Sequence, residues 1–163
     1  MIANGMYFAT PAIYNLIRST GGIWNDCKQR PIYCCFESAE TKGLYWAIPV
    51  GNYEHREPAA KKRIQTYLSL PTGNIASCYY HIGITTEKSI FFISDVIPIT
   101  DTYMDAEYKN FYTSTIYIVK NKPLIAELEY KLSRILAYEK SNPNSFRQHI
   151  TDVKNKLLEE LSK

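Results

Sequence analysis

An α+β fold is predicted for this chain of 163 residues by the order in which its patterns occur. Strand-like runs fill the first two-thirds, and leucine and isoleucine stripes at helical spacing fill the last third. The strand spacing points to a small, strongly bent sheet or barrel with helices packed on it. No internal repeat and no linker divides the chain, so residues 1–163 read as one domain.

The elements follow in order. Thr10-Pro11 reads as an N-cap with proline in the first turn, opening a helix through Ile13, Leu16 and Ile17 that Gly21-Gly22 ends. Arg30-Pro31 leads into the strand run Ile32-Tyr33-Cys34-Cys35-Phe36. A polar turn then leads to Leu44-Tyr45-Trp46-Ala47-Ile48-Pro49-Val50, which reads as the second arm of a hairpin, stopped by Pro and Gly. Pro58 can open a helix with Ile64, Tyr67 and Leu68 on its apolar stripe, and residues 70–74 are loop. Residues 78–84 and 89–93 flank Thr85-Thr86-Glu87-Lys88 as a second hairpin. Val96-Ile97-Pro98-Ile99 extends this block and tolerates its proline only at an edge or a bulge. Residues 101–111 are ambiguous, and 114–119 are another strand candidate. Leu124, Leu128, Leu132, Ile135 and Leu136 then form one amphipathic helix, Asn142-Pro143-Asn144 breaks it, and Ile150, Val153, Leu157 and Leu158 form a second.

Composition narrows the function classes. A hydrophobic fraction of 45% and a charged fraction of 21% are those of an ordinary globular protein. No apolar run approaches the roughly 20 residues that cross a bilayer, and the N-terminus lacks the pattern of a secretion signal, which favours the cytoplasm and no membrane partner. A net charge of +3 permits a polyanionic partner without arguing for one. Cys34 and Cys35 are neighbours in a strand and point to opposite faces. With Cys27 and Cys78 they form no Cys-x-x-Cys, and His55, His81 and His149 lie far apart. Reduced buried thiols are expected, with no structural zinc and no cofactor. The 14 tyrosines suit strands, interfaces and base-stacking surfaces alike.

The chemistry-bearing stretch is Gly51-Asn52-Tyr53-Glu54-His55-Arg56-Glu57-Pro58, followed by Lys61-Lys62-Arg63. It brings an amide, an imidazole and four cations into one loop and the helix start beyond it. Imidazole moves protons near neutral pH, and guanidinium and ammonium groups hold phosphate. These are the ingredients of metal-free phosphodiester chemistry. The same residues also read as a solvated loop running into a helix with a basic face. Helical spacing puts Lys61 and Gln65 on one face while Lys61 and Lys62 diverge by about 100°, so only part of the cluster can meet one phosphate.

An ordered set of features resembles the endoribonuclease toxins of type III toxin–antitoxin systems, the ToxN and AbiQ group, with the CptN and TenpN branches nearest. These features are Arg30-Pro31, Tyr45-Trp46-Ala47-Ile48-Pro49, Ser89-Ile90-Phe91-Phe92-Ile93 running into Ile97-Pro98-Ile99, Tyr130-Lys131, and Asn142-Pro143-Asn144-Ser145-Phe146 before the closing helix. The resemblance implies a compact, bent antiparallel sheet like that of the MazF or Kid toxins, with added helices and a C-terminal helical pair. It implies metal-independent RNA cleavage leaving a 2′,3′-cyclic phosphate and a 5′-hydroxyl. It also implies inhibition by a repetitive, pseudoknotted antitoxin RNA, which the toxin cuts into units and binds in a closed assembly. Cellular or phage RNA would be the substrate. In ToxN-like members the strand end runs into a hydroxyl pair and then a catalytic lysine. Here Gly51 and Asn52 stand there, with Glu54 and His55 near the lysine's place. Either His55 has taken the lysine's role, or a lysine from the next helix reaches in.

The catalytic expectation is therefore His55 as acid or base, Asn52 as orienting donor, and Lys61 or Arg63 as phosphate clamp. Arg56, Lys62, Gln65, Lys28 and Arg30 are the expected RNA contacts around them. His81 reads first as a satisfied histidine on a sheet face and second as another proton-transfer group, with Tyr79 stacking on a base. Ser77 and Ser94 are substitutes for the missing hydroxyls. Phe146 and Arg147 could stack on or clamp the antitoxin RNA. Two rivals stay open: a non-catalytic RNA-binding module and a purely structural interaction protein. Duplex reading is disfavoured, since no helix-turn-helix or zinc spacing occurs.

Overall fold

The computed structural model describes residues 1–25 and 27–163. Its strands are β1 (Met6–Ala9), β2 (Ile32–Glu37), β3 (Tyr45–Asn52), β4 (Tyr80–Ile84), β5 (Lys88–Phe92), β6 (Ile97–Ile99) and β7 (Met104–Glu107). The helices are α1 (Pro11–Ser19), α2 (Pro58–Leu68), α3 (Lys122–Ser141) and α4 (Ile150–Leu161). One antiparallel sheet runs β4-β5-β3-β2-β1-β7, with β6 also paired to β3. The class is α+β, as expected, but the barrel form of that expectation is corrected. Closure requires the two end strands to pair, and among the described residues β4 and β7 do not. Helices α2 and α3 pack against β4 instead.

Strand β3 organises the sheet. One edge pairs with β2 from Tyr45 to Pro49, while the other pairs first with β6, through Tyr45, Trp46 and Ala47, and then with β5, through Val50, Gly51 and Asn52. Pro49 therefore does not stop the strand, contrary to the sequence reading. The Val50 amide donates to the Pro31 carbonyl on the β2 side at 2.9 Å. Alternation then turns the Pro49 nitrogen to the opposite edge, at the gap where β6 has ended and β5 has not begun. A missing N–H costs no ladder bond there. The strand consequently carries Gly51 and Asn52 beyond the expected stop.

Both faces of the central sheet are buried, which explains its nearly unbroken apolar runs. Tyr33 and Cys35 join Trp46, Ile48 and the α3 residues Leu124, Leu128, Leu132 and Ile135 in one core. Ile32 and Cys34 join Ala47, Ile97, the α1 residues Ile13 and Ile17, and the α4 residues Val153 and Leu157 in the other. The adjacent cysteines thus face opposite layers, as alternation requires. Burial raises the Cys34 thiol to about 12 and pushes Cys35 up as well, so both are inert neutral thiols. The expected C-terminal helical pair is also adjusted: α3 and α4 are consecutive, but most of their apolar residues serve opposite layers.

Smaller differences have local causes. Residues 75–78 form a 3₁₀ turn before β4, with the Asn74 side chain accepting from the Ala76 amide at 3.0 Å. Among the described residues, 114–119 form no strand; the bridges Gly5↔Ile118 and Lys109↔Ile116 tie them to the sheet, and Val119 packs in the core. Pro98 lies in β6, which pairs with β3 alone, so its edge placement is as expected.

Candidate nucleic-acid interface

The loop after β3 is a stapled turn. Asn52 Oδ1 accepts from the His55 amide at 3.2 Å, and Asn52 Nδ2 donates to Glu87 Oε2 at 2.5 Å. The Arg56 amide donates to the Tyr53 carbonyl at 3.1 Å. Lys61 lies 3.3 Å and Lys88 3.5 Å from Glu54, and both ammonium groups sit over the Tyr53 ring. The Lys61 hydrogen bond and charge, with help from Lys88, hold the Glu54 carboxyl below its usual range. Asn52 and Lys61 are thus engaged in building the loop. His55 is exposed, and its ring has no hydrogen bond among the described residues.

Helix α2 sorts its cations by periodicity. Lys61 and Gln65 share the Tyr53 side, where Gln65 Nε2 donates to the Tyr53 hydroxyl at 3.1 Å. Ala60, Arg63, Ile64 and Tyr67, spaced i, i+3, i+4 and i+7, face a different space. Lys62 falls between these faces and is exposed.

That space is a cleft of about 670 Å³ lined by Arg30, Arg56, Arg63 and Arg147 together with Tyr67, Tyr79, Tyr80, Phe92 and Phe146. The Arg30 guanidinium lies 5.2 Å and the Arg56 guanidinium 5.6 Å from the centre of the Phe92 ring. Arg56 is steered by Nε donating to the Asn52 carbonyl at 3.1 Å. It also needs Gly51, where a Cβ would lie 2.8 Å from Arg56 Nη2 and 3.2 Å from Phe92. Burial, and then the neighbouring Arg56 charge, lower the Arg30 pKa, with Asp95 opposing them. Neither Arg30, Arg56 nor Arg63 forms an ion pair among the described residues. Tyr67 lies 5.5 Å from Tyr79, and Tyr79 lies 5.9 Å from Phe146, edge on. Burial raises the Tyr79 hydroxyl pKa, so at neutral pH it stays a hydrogen-bond donor.

The far wall is held by groups that sequence reasoning missed. Arg147 grips Asp95 bidentately at 2.8 and 3.1 Å. Next to it, fully buried Gln148 donates through Nε2 to the Ser94 and Val96 carbonyls, both at 2.8 Å. These bonds pin the segment carrying Phe146 and Arg147 to the β5–β6 connection. No local pattern marks Asp95 or Gln148, because their partners are some 50 positions away. Tyr80 and Phe92 were more accessible: the register across the 85–87 turn places them directly opposite.

Of the expected contacts, Arg30, Arg56, Arg63, Tyr79, Phe146 and Arg147 meet in this cleft, and Ser94 lines it too. His55, Asn52, Lys61, Lys62, Gln65, Lys28, Ser77 and His81 do not line it. Lys28 is exposed. His149 is the residue before α4, with Nδ1 3.0 Å from the Thr20 carbonyl oxygen.

His81 pairs with Phe91 and is influenced by α3, where Lys131 donates to the Tyr80 carbonyl at 2.9 Å. Its Nδ1 is buried without a partner. Burial, and then the Lys131 charge, push its pKa from 6.5 down to about 4. The folded protein therefore holds a neutral imidazole where the unfolded chain takes a proton. Stability linked to His81 is intact above pH 6.5 and is lost as pH falls toward about 4. Melting temperature should fall more steeply across that window in wild type than in His81→Leu; equal slopes would show that His81 is not held neutral by folding.

Among the described residues, no group of three or more His, Cys, Asp or Glu side chains is arranged to hold a metal ion, and no helix is long and apolar enough to cross a membrane. No protein-family model matches the chain, and no curated protein matches it significantly.

Proposed function

We propose that this protein is a metal-independent endoribonuclease that holds single-stranded RNA in the arginine cleft. The carrying observation is Arg30 and Arg56, held on one Phe92 ring without carboxylate partners among the described residues. Two like charges brought together cost free energy that an anionic ligand relieves. The surrounding Tyr67, Tyr79, Tyr80 and Phe146 favour an anion that carries bases, since base–aromatic stacking is sequence-tolerant and worth about 1–3 kcal/mol per base.

In this reading the 2′-oxygen attacks phosphorus, the bond to the 5′-oxygen breaks, and a 2′,3′-cyclic phosphate and a 5′-hydroxyl result. Arg30 and Arg56 stabilise the phosphorane charge. Of the three histidines, His55 alone is both exposed and free of side-chain hydrogen bonds among the described residues. It shares a rigid turn with Arg56, and we assign it the proton transfer. Asn52 positions that turn, and the clamp role expected of Lys61 passes to the arginines. The family proposal, a type III toxin of the ToxN and AbiQ group with a MazF-like sheet, rests on the ordered sequence features. It carries with it a pseudoknotted antitoxin RNA as partner and cellular or phage RNA as substrate.

His55→Ala should lower the cleavage rate by about 10²–10⁴ while leaving RNA affinity intact. Cleavage at the wild-type rate would remove His55 from the mechanism. The position of the His55 ring outside the cleft lining favours a second reading, a non-catalytic RNA-binding module. That module would bind RNA with steep salt dependence and leave it whole.

A further inference from the structure

A second cavity, of about 430 Å³, lies on the other side of the 142–149 loop, between the end of α3, the start of α4 and the β2–β3 turn. Its volume falls within the range of small-molecule sites, about 300–1,000 Å³. Trp46, Leu136, Pro143 and Ile150 give it apolar walls. Glu139, Lys140, Glu40 and Lys154 bring charge to it.

Two of those charges satisfy each other, since Lys154 lies 3.6 Å from Glu40. The other two do not. Glu139 is only 3% exposed. Its Oε1 accepts from the Asn144 amide at 2.6 Å and from the Thr151 amide and hydroxyl at 3.2 and 2.7 Å. Its Oε2 is buried with no partner, a state that is costly for a carboxylate oxygen. Lys140, the next residue, is exposed and has no ion pair among the described residues. Glu139 lines the cavity, and Oε2 is the one of its carboxylate oxygens left without a partner.

We propose that this cavity binds a small zwitterion, a free α-amino acid with an apolar side chain. Its ammonium group donates to Glu139 Oε2, its carboxylate meets Lys140, and its side chain packs against Trp46, Leu136 and Ile150. The site is separate from the arginine cleft, and its test contains no RNA, so its failure would leave the endoribonuclease reading untouched.

The test is titration of the intact protein with L-leucine and L-phenylalanine, followed by calorimetry and by the NMR shift of the Trp46 indole N–H. N-acetyl-L-leucine and L-leucinamide serve as the controls lacking the ammonium and the carboxylate. Saturable binding of L-leucine or L-phenylalanine with a Trp46 shift is expected, and none with N-acetyl-L-leucine. Lys140→Ala changes an exposed helix position and should weaken binding of the free amino acid roughly tenfold while leaving L-leucinamide unaffected. Three results would each overturn the proposal: no saturable binding of either amino acid, equal binding of N-acetyl-L-leucine, or unchanged affinity in Lys140→Ala.

Discussion

Arg56→Ala should cleave RNA roughly 10²–10³-fold more slowly than wild type, the cost typical of removing one preorganised donor from a developing oxyanion. The residue is placed by three independent features: the turn that Asn52 closes, the Nε bond to the Asn52 carbonyl, and the space left by Gly51. In the proposed reaction such a fixed guanidinium would meet the transition state without reorganising. Arg56→Lys should recover only part of the loss, because an ammonium lacks the planar two-point fork and stacks poorly on Phe92. Single-turnover rates on an end-labelled RNA, alongside melting curves, separate lost chemistry from lost folding. A rate within twofold of wild type would detach the cleft from catalysis.

The second large effect is on stability. Helix α4 begins after His149, which adopts a left-handed φ of 54° and whose side chain makes no cap bond. The orphan amides at a helix start need an acceptor. Glu139 supplies one from the last turn of α3 through its bond to the Thr151 amide, and it holds with the same oxygen the amide of Asn144, whose own Oδ1 accepts from the Asp152 amide at 3.1 Å. One buried carboxylate thus fixes the join between helices that serve opposite faces of the sheet. Glu139→Ala leaves two amides and a hydroxyl without their acceptor and should cost about 2–4 kcal/mol. Glu139→Gln keeps an acceptor oxygen and should cost about half as much. The midpoint of urea unfolding measures both. A midpoint unchanged in Glu139→Ala would mean that the Asn144 side chain suffices to cap α4 without Glu139.

Local signals carried much of the fold. Pro11 opened α1, although the Thr10 side chain makes no cap bond, Asn142-Pro143 ended α3, and residues 85–87 turned the second hairpin, because proline and turn residues act over a few positions. Pro49 misled for the same reason. Its tolerance depends on β6 and β5 dividing one edge of β3, a tertiary fact that no local pattern contains. Residues 114–119 misled because β-rich composition does not supply a partner strand.

The candidate site divided along the same line. Helical periodicity already separated Lys61 from Lys62 and put Lys61 with Gln65, which is how α2 presents them. Arg30, Arg147 and Phe146 were legible as residue types, but their convergence on Arg56 and Arg63 depends on the sheet bringing three distant segments together. The wall that holds Arg147 depends on Asp95 and Gln148. Their bonds span about 50 residues, so nothing in their neighbourhood could reveal them.

The most direct test of the central claim is incubation of the purified protein with single-stranded RNA in excess EDTA, with the product ends then analysed. The account predicts discrete fragments bearing 2′,3′-cyclic phosphate and 5′-hydroxyl ends, formed by wild type and strongly reduced with Arg56→Ala. RNA that stays intact in the presence of bound wild-type protein would contradict it and leave a binding module in its place.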